Sequence, residues 1–350
     1  MSDVSHVPEL TDVREAHRFD EAALSRYLSG ALPGFAGGLR VRQFEGGQSN
    51  PTYLLESGEE RYVLRKKPPG VLLRSAHQVD REYRVIRALE GTGVPVPRAY
   101  LLCEDESVIG TSFFVMEHVE GRVIADTRLP GFRPEERTAL FENAVETLAA
   151  IHSLDPMALG LEGFGRAGNY YTRQISRWSK QYEASKTDRI ASMESLMEWL
   201  PVHVPESDET RVVHGDYRIG NCIVDPEKPR VVAVLDWEIS TLGHPHGDLA
   251  YFCLSFHGGG TVGDNLQGAD LESLGIPQES DLVARYAELT GSDPREHWNF
   301  YLVFQLFRAA SIVQGVYKRG LDGNASSETA TQLGGVVRSR ADAAWALVDG

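Results

Sequence analysis

The hydrophobic pattern of the chain changes most clearly close to residue 117, and this change limits the folds that the chain can adopt. Short apolar runs with strand-like alternation lie before that point, at 39–45, 52–56, 61–66, 99–104 and 112–117. Helical spacing dominates after Gly121, over about 135–153, 170–199, 281–290, 295–318 and 327–347. The sequence therefore predicts an α+β protein with a small β-rich lobe followed by a larger, mainly helical lobe.

The boundaries of these parts follow from the same pattern. A helix predicted at 19–30 ends at Gly30, so we expect an N-terminal arm and helix over residues 1–30. The β-rich lobe would then cover 31–118 and the helical lobe 119–350. A short β-rich island at 211–238 lies among the helices of the second lobe.

Charge and cysteine content exclude several classes of protein. The chain has 50 acidic and 35 basic residues, hence a formal net charge of −15. Non-specific binding to nucleic acid or to an anionic membrane requires a positive field, so we expect neither partner. Three scattered cysteines form no disulfide framework and suit a reducing compartment. The sequence also lacks a signal peptide and a run of ~20 apolar residues. It predicts a cytoplasmic protein and indicates no oligomeric state.

Polar residues cluster at one place in the helical lobe. VVHGDYRIGNCIVD (212–225) and VVAVLDWE (231–238) predict a loop followed by a hairpin that brings Asn221 and Asp236 towards the same end. An amide oxygen and a carboxylate are hard ligands of the kind that Mg²⁺ uses together with phosphate oxygens. Asp216, on the loop, could accept the proton of an attacking hydroxyl. Each residue alone is typical of a turn, but the combination favours a functional site.

These two segments resemble the catalytic and metal-binding segments of the aminoglycoside phosphotransferase and choline kinase group, relatives of the protein kinases. The resemblance implies a protein-kinase-like fold with an antiparallel sheet in the N-lobe. It also implies ATP and Mg²⁺ as cofactors and a small-molecule hydroxyl as the phosphate acceptor. Asp216 would be the catalytic base, and Asn221 and Asp236 would hold magnesium.

Further segments are similar to the phosphotransferase domain found ahead of some acyl-CoA dehydrogenases. They are LRKKPPG (64–70), SAH (75–77), DREYRV (80–85) and LGHPHGDLAY (242–251). This similarity points to a hydroxyl on an acyl chain, such as that of a hydroxyacyl thioester, as the acceptor.

A glycine-containing hairpin in the β-rich lobe is a candidate phosphate cover. In EGGQSNPTY (45–53), the residues Gly46, Gly47, Ser49 and Asn50 lie between two predicted strands. A plain Gly-Gly hairpin is the alternative interpretation.

The next strand, RYVLRK (61–66), carries two candidate cations. Strand alternation puts Arg65 and Lys66 on opposite faces. The family position favours Arg65, whereas a one-residue register shift would select Lys66. Glu82 matches the family's partner acid, with an exposed helical glutamate as the alternative. The resemblance also implies that backbone groups from Glu117 to Val119 meet adenine.

Two other functions remain open at this point. One is a non-catalytic nucleotide- or ligand-binding module on the same fold. The other is a metallohydrolase built from His214, Asp216, His244, His246 and Asp248. The family comparison instead gives His214 a structural role and makes Asp248 a brace of the catalytic loop. Arg308 and Gln314, which interrupt the apolar helix predicted near 298–320, could face a substrate or serve the structure alone.

Overall fold

The computed structural model of the protein describes residues 10–45, 50–68, 78–207, 209–260, 264–323 and 328–349. The chain forms two compact units. The first comprises Met1–Ile124, Leu159–Leu161 and Asn221–Ser240, and the second comprises Ala125–Ala158, Glu162–Gly220 and Thr241–Gly350. The segment Asn221–Ser240 thus belongs to the first unit, whereas the sequence pattern groups it with the helices.

The first unit is built around a six-stranded antiparallel sheet of order β1-β2-β3-β4-β6-β5. Its strands are β1 (Leu10–Thr11), β2 (Arg40–Phe44), β3 (Thr52–Ser57), β4 (Glu60–Lys66), β5 (Ala99–Cys103) and β6 (Phe113–Glu117). Five of these strands agree with the predicted runs to within one residue at each end, since alternation of apolar side chains marks a half-buried strand.

A helix covers each face of this sheet. Helix α1 (Glu21–Ala31) contributes Leu24 and Leu28 to an apolar core that includes Tyr62 and Leu64 of β4. Helix α2 (Val79–Leu89) packs on strands β5 and β6 of the sheet, where its Tyr83 ring meets that of Phe114 at 6.1 Å between centroids. Because successive side chains of a strand point to opposite faces, the two helices determine the surroundings of neighbouring residues on β4.

A second, smaller ladder completes the first unit. Strands β7 (Arg122–Val123), β9 (Cys222–Val224) and β10 (Val231–Val234) pair antiparallel in the order β10-β9-β7. Gly121 lies so close to this ladder that an added Cβ would stand 2.3 Å from Ile223 Cγ2 and 2.6 Å from the carbonyl oxygen of Val224. A glycine is therefore required where the chain passes strand β9.

The second unit is mainly helical. Its helices are α3 (Pro134–His152), α4 (Tyr170–Ser185), α5 (Ala191–Trp199), α6 (His246–Phe252), α7 (Leu271–Leu274), α8 (Glu279–Thr290), α9 (Trp298–Leu321) and α10 (Gly334–Asp349). The long helix α9 is buried along most of its length and packs against α4, α6 and α10. A two-stranded ladder of β8 (Arg211–Val213) and β11 (Thr241–Gly243) precedes the loop that contains His214, Gly215 and Asp216.

The predicted α+β class, with an antiparallel N-terminal sheet and a mainly helical C-terminal part, is confirmed. The single helix predicted over 170–199 is wrong, because the chain leaves the helical conformation between Ser185 and Ala191. Gln314 Nε2 donates to the Ser185 carbonyl at 2.7 Å. Thr187 and Asp188 follow, residues whose side chains compete with helical hydrogen bonds.

The predicted helix at 327–347 also starts late. Helix α10 begins at Gly334, after a short 3₁₀ turn at Glu328–Gln332. Two successive glycines, Gly334 and Gly335, give a weak helix start that apolar spacing alone does not reveal.

Among the described residues, no helix combines the length and the apolar character needed to cross a bilayer.

Candidate functional site

A buried guanidinium occupies the α2 side of strand β4. Arg65 Nη1 donates to Glu82 Oε1 of helix α2, and Arg65 Nη2 donates to Asp236 Oδ1 at 3.1 Å. The Arg65 and Glu82 side chains are 9% and 1% exposed, so this ion pair is withdrawn from water. Glu82 is therefore not the exposed helical glutamate of the alternative interpretation.

Lys66, the other candidate cation, lies on the α1 side of the sheet. Its Nζ stands 5.9 Å from the centre of the Tyr53 ring, and burial lowers the pKa of its ammonium group. The register of β4 against β3 and β6 is continuous from Tyr62 to Arg65, without a bulge. Arg65 is therefore the cation that meets the acids, as the family position favours.

The hairpin of β9 and β10 brings Asn221 and Asp236 together, as the sequence predicts. The residue before Asp236, Leu235, donates its backbone N–H to the Asn221 carbonyl at 2.8 Å. Asp236 itself has left-handed backbone angles, φ 65° and ψ 52°. Such a conformation is uncommon outside glycine and costs of order 1–3 kcal/mol, so the rest of the fold must hold it.

More acidic than basic groups surround Arg65. Glu238 Oε2 stands 4.0 Å from Arg65 Nη2 and accepts a hydrogen bond from Asn50 Nδ2 at 3.2 Å. One cation thus faces three carboxylates, those of Glu82, Asp236 and Glu238. Burial lowers the pKa of Arg65, but these carboxylates together raise it above its usual value. Burial, aided by the other two acids, raises the pKa of Glu82 to about 8 despite the arginine.

The cluster is also incomplete in its hydrogen bonds. Arg65 Nε and Glu82 Oε2 are buried, and no partner for either atom occurs among the described residues. Native proteins seldom leave buried polar atoms unsatisfied. A carboxylate and an amide oxygen held beside a fixed cation are a donor set that fits Mg²⁺ together with phosphate oxygens.

The loop after β8 belongs to the second unit and is held by its backbone. Asp248 of helix α6 accepts the N–H of His214 at 2.5 Å and that of Gly215 at 2.9 Å. Gly215 has φ 85°, which favours glycine, and the N–H of Asp216 donates to His214 Nδ1 at 3.2 Å. Asp248 braces the loop as the family comparison implies, and His214 is fully buried inside it.

Further buried groups support this loop, and sequence reasoning did not find them. His152 of helix α3 contacts Asp248 Oδ2 at 3.4 Å through Nε2 and the Tyr286 hydroxyl at 2.7 Å through Nδ1. Burial and, after it, the neighbouring Asp216 carboxylate raise the pKa of the Tyr251 hydroxyl above its usual value. In the sequence, Tyr251 ends the segment LGHPHGDLAY (242–251), but nothing in that segment indicates that it lies beside Asp216.

The histidines of the predicted metal cluster have other partners. His244 Nε2 contacts Ser207 Oγ at 3.2 Å, and His246 Nε2 contacts Ser292 Oγ at 2.9 Å. Burial lowers the pKa of His244 to about 3 and that of His246 to about 4. Within the described ranges, no three His, Cys, Asp or Glu side chains come together as a metal site. The metallohydrolase interpretation therefore loses its ligand set.

The remaining predicted nucleotide-binding residues have mixed outcomes. Gly46, Gly47 and Ser49 lie outside the described residues, as does the segment 75–77. Glu117 ends strand β6, where its backbone N–H donates to the Arg98 carbonyl at 2.8 Å and its carboxylate accepts the Arg98 N–H at 3.0 Å. Val119 follows two residues later and is half-buried. The role of both residues stays a prediction.

Comparison with known protein families gives a match over most of the chain. The model of the phosphotransferase enzyme family, APH, matches residues 40–289. Acyl-CoA dehydrogenase family member 10 of Mus musculus is 45% identical over 97% of this chain, which covers 32% of that protein. Acyl-CoA dehydrogenase family member 11 of Homo sapiens is 45% identical over 95% of this chain, which covers 44% of that protein. The chain thus spans less than half the length of these relatives.

Solved structures match the fold along nearly the whole chain. A crystal structure provisionally assigned as an aminoglycoside phosphotransferase of Ralstonia eutropha is 47% identical, with a TM-score of 0.87 over 95% of this chain and 99% of that one. A thermostable mutant of the aminoglycoside phosphotransferase APH(4)-Ia, in a ternary complex with ADP and hygromycin B, is 17% identical. Its TM-score is 0.62 over 94% of this chain and 99% of that one. The resemblance seen in the sequence and the kinase-like fold are both confirmed.

Proposed function

Because the chain belongs to the phosphotransferase enzyme family, we propose that it is an ATP- and Mg²⁺-dependent kinase that phosphorylates a hydroxyl group of a small molecule. The observation that carries the proposal is the buried Arg65, which helix α2 holds through Glu82 and which also contacts Asp236. Phosphoryl transfer needs a fixed cation beside the metal-binding acid, because charge stabilisation and positioning supply most of the catalysis.

The residues of the first unit would bind the nucleotide. Asn221 and Asp236 would hold Mg²⁺, which neutralises charge on the phosphate oxygens when it is bound. Arg65 would contribute a second positive charge. Its buried Nε–H group, which has no partner among the described residues, would be available as a hydrogen-bond donor. Asn50 would belong to the hairpin that covers the phosphates, together with Gly46, Gly47 and Ser49. ATP use is supported by ADP in the APH(4)-Ia complex.

Asp216 of the second unit would act as the general base. It would accept a hydrogen bond from the acceptor hydroxyl, orient the oxygen and take its proton during transfer. The brace of Asp248 on the His214 and Gly215 backbone holds the loop that carries Asp216. No covalent intermediate on the protein is required.

The acceptor is proposed from the relatives. The similarity to acyl-CoA dehydrogenase family members 10 and 11 supports a hydroxyl on an acyl chain, in a hydroxyacyl compound such as a hydroxyacyl thioester. An aminoglycoside is the competing acceptor, because hygromycin B is bound in the APH(4)-Ia complex.

Acceptor-dependent release of ADP tests the function. ATP and Mg²⁺ are supplied with a 4-hydroxyacyl-CoA, choline, homoserine or an aminoglycoside, and with no acceptor as the blank. We expect one acceptor to raise ADP release well above the blank, and the Asp216→Asn variant to lower turnover by about 10³-fold or more.

Asp281→Asn is the matched control, since Asp281 is an exposed aspartate at the start of helix α8. It should keep wild-type turnover, and calorimetry should show ATP binding in both variants. Full turnover of Asp216→Asn would refute its assignment as the base. ATP binding without turnover on any acceptor would favour a non-catalytic nucleotide-binding module.

A further inference from the structure

The Gly215 peptide is held from two directions, by Asp248 on its N–H and by Arg308 on its carbonyl. Arg308, on helix α9, donates Nη2 to the Gly215 oxygen at 2.8 Å, while Asp248 Oδ1 accepts the Gly215 N–H at 2.9 Å. The next residue is Asp216. The orientation of the backbone that enters Asp216 is thus determined by two buried side chains from different helices.

These contacts close into a ring. Arg308 Nη1 donates to Gln305 Oε1 at 3.1 Å, and Gln305 Nε2 donates to the Gly247 carbonyl at 2.7 Å. Gly247 directly precedes Asp248 in helix α6. Gln305 and Arg308 are three residues apart, so both side chains lie on the same face of helix α9. This ring of hydrogen bonds therefore connects Asp248, which accepts the Gly215 N–H, with Arg308, which donates to the Gly215 carbonyl.

Two aromatic rings immobilise the guanidinium. The carbon Cζ of Arg308 lies 5.3 Å from the centre of the Tyr251 ring and 5.7 Å from that of Trp178. The same Tyr251 lies near Asp216, whose carboxylate adds to burial in raising the pKa of the Tyr251 hydroxyl. Tyr251 thus links the arginine to the proposed base.

Burial of an arginine at position 308 is energetically unfavourable. Arg308 is 7% exposed on an otherwise apolar helix, and no carboxylate of the described chain pairs with it. A buried cation without a counter-ion loses its hydration, and an apolar residue of similar size would avoid that loss. The hydrogen bond to Gly215 and the contact with Tyr251 account for its presence.

We propose that Arg308 and Tyr251 are positioning residues, which hold the Gly215 peptide and the Asp216 carboxylate in the arrangement that phosphoryl transfer needs. This inference rests on the proposed function of Asp216. Neither residue has to touch the nucleotide, so their loss would act on kcat and leave nucleotide binding unchanged.

The test compares Arg308→Gln, Arg308→Lys and Tyr251→Phe with a control on the same helix, Gln314→Leu. Gln314 is equally buried but donates to Ser185, away from the loop. We expect Arg308→Gln to lower kcat about 100-fold, with the KM for ATP unchanged, because small misplacements of a reacting group have effects of this size. Arg308→Lys should recover part of the loss, since one donor can still reach Gly215. Tyr251→Phe should lower kcat about 10-fold.

Hydrogen exchange provides a second measurement that requires no acceptor. The amides of His214 and Gly215 should exchange faster in Arg308→Gln and at the wild-type rate in Gln314→Leu. Unchanged exchange at these amides would overturn the proposal, and so would a kcat within twofold of wild type.

A merely structural role of Arg308 gives a different result. Gln314→Leu would then lower kcat as much as Arg308→Gln does, and hydrogen exchange would become faster throughout the second unit. That result would also refute the proposal. If the wild-type protein phosphorylates no acceptor, the proposed function fails, whereas the exchange rates at His214 and Gly215 still decide this inference.

Discussion

The two units of the molecule hold their candidate functional residues by different forces. In the first unit, side-chain charges hold one another, with Arg65 among Glu82, Asp236 and Glu238. In the second unit, buried side chains hold the backbone of the loop, with Asp248 on two N–H groups and Arg308 on a carbonyl. An ion-pair cluster can exchange partners when a ligand arrives, whereas a hydrogen-bonded backbone keeps one geometry.

This difference agrees with the proposed roles. The cluster of the first unit has an excess of negative charge, so a divalent cation would be attracted to it. The loop of the second unit presents its aspartate on a peptide fixed on both sides, and such fixed groups need no reorganisation during the reaction. Burial alone would raise the pKa of Asp248, but His152 and the backbone donors hold it below its ordinary value.

Breaking the ion pair of the first unit should have the largest effect on stability. Arg65→Met leaves Glu82 buried without its cation, so we expect the free energy of unfolding to fall by about 3–5 kcal/mol. The double variant Arg65→Met/Glu82→Leu should recover most of that loss without recovering turnover. Urea melts of both variants check this, and a loss below about 1 kcal/mol in the single variant would contradict the burial of the pair.

Lowering the pH should destabilise the second unit, because its buried histidines are neutral in the fold and take up protons on unfolding. His244 and His246, with pKa values lowered to about 3 and about 4, must stay uncharged in the fold, whereas an unfolded histidine titrates near 6.5. The folded pKa is depressed, so stability is complete above pH 6.5 and is lost as the pH falls towards 4. At pH 5, each of the two histidines should lower the free energy of unfolding by about 2 kcal/mol relative to its value above pH 6.5.

Urea melts at pH 7.5 and pH 5 measure this loss, with the His244→Gln/His246→Gln variant as the comparison. That variant should lose clearly less stability between the two pH values than the wild type. An equal loss in both proteins would mean that other groups cause the acid sensitivity.

Asp248→Asn tests the hydrogen bonds by which Asp248 holds the loop backbone, and its effect on stability should be of intermediate size. Both carboxylate oxygens of Asp248 accept backbone N–H groups, so an amide would turn its NH₂ group towards one of those donors. We expect the free energy of unfolding to fall by about 1–3 kcal/mol and kcat to decrease strongly. Asp281→Asn, an exposed substitution with the same chemistry, should change neither quantity. Retention of wild-type kcat in Asp248→Asn would argue against a fixed loop.

The smallest effect should come from an ion pair outside both sites. Arg285 Nη2 contacts Glu146 Oε1 at 2.6 Å, but both side chains are well exposed to water, at 45% and 39%. Arg285→Gln should change the free energy of unfolding by less than about 1 kcal/mol and leave turnover unchanged. A larger loss would mean that surface charge stabilises the second unit more than its geometry indicates.

Sequence reasoning succeeded where the signal is local. Alternation along strands β2 to β6 and helical spacing in the second unit come from the periods of the two backbone conformations, so they are visible in short windows. The combination of Asp216, Asn221 and Asp236 could be proposed as a site because the three residues stand at recognisable spacing, and their roles stay predictions. The break between helices α4 and α5 was missed because a contact from Gln314, more than a hundred residues away in the chain, stabilises it.

The sequence by itself determined the two kinds of secondary structure, the candidate catalytic residues and the family, since all three are encoded in periodicity and short motifs. The tertiary structure decided which cation faces the acids, because the packing of α2 on one face of the sheet and α1 on the other distinguishes Arg65 from Lys66. It also decided that Asn221–Ser240 belongs with the first unit, through pairing of β9 with β7 about a hundred residues away. The sequence indicated Arg308 only as a polar interruption of an apolar helix, and the tertiary structure decided that it holds the Gly215 carbonyl beside Tyr251, because contacts between distant segments leave no pattern in either segment.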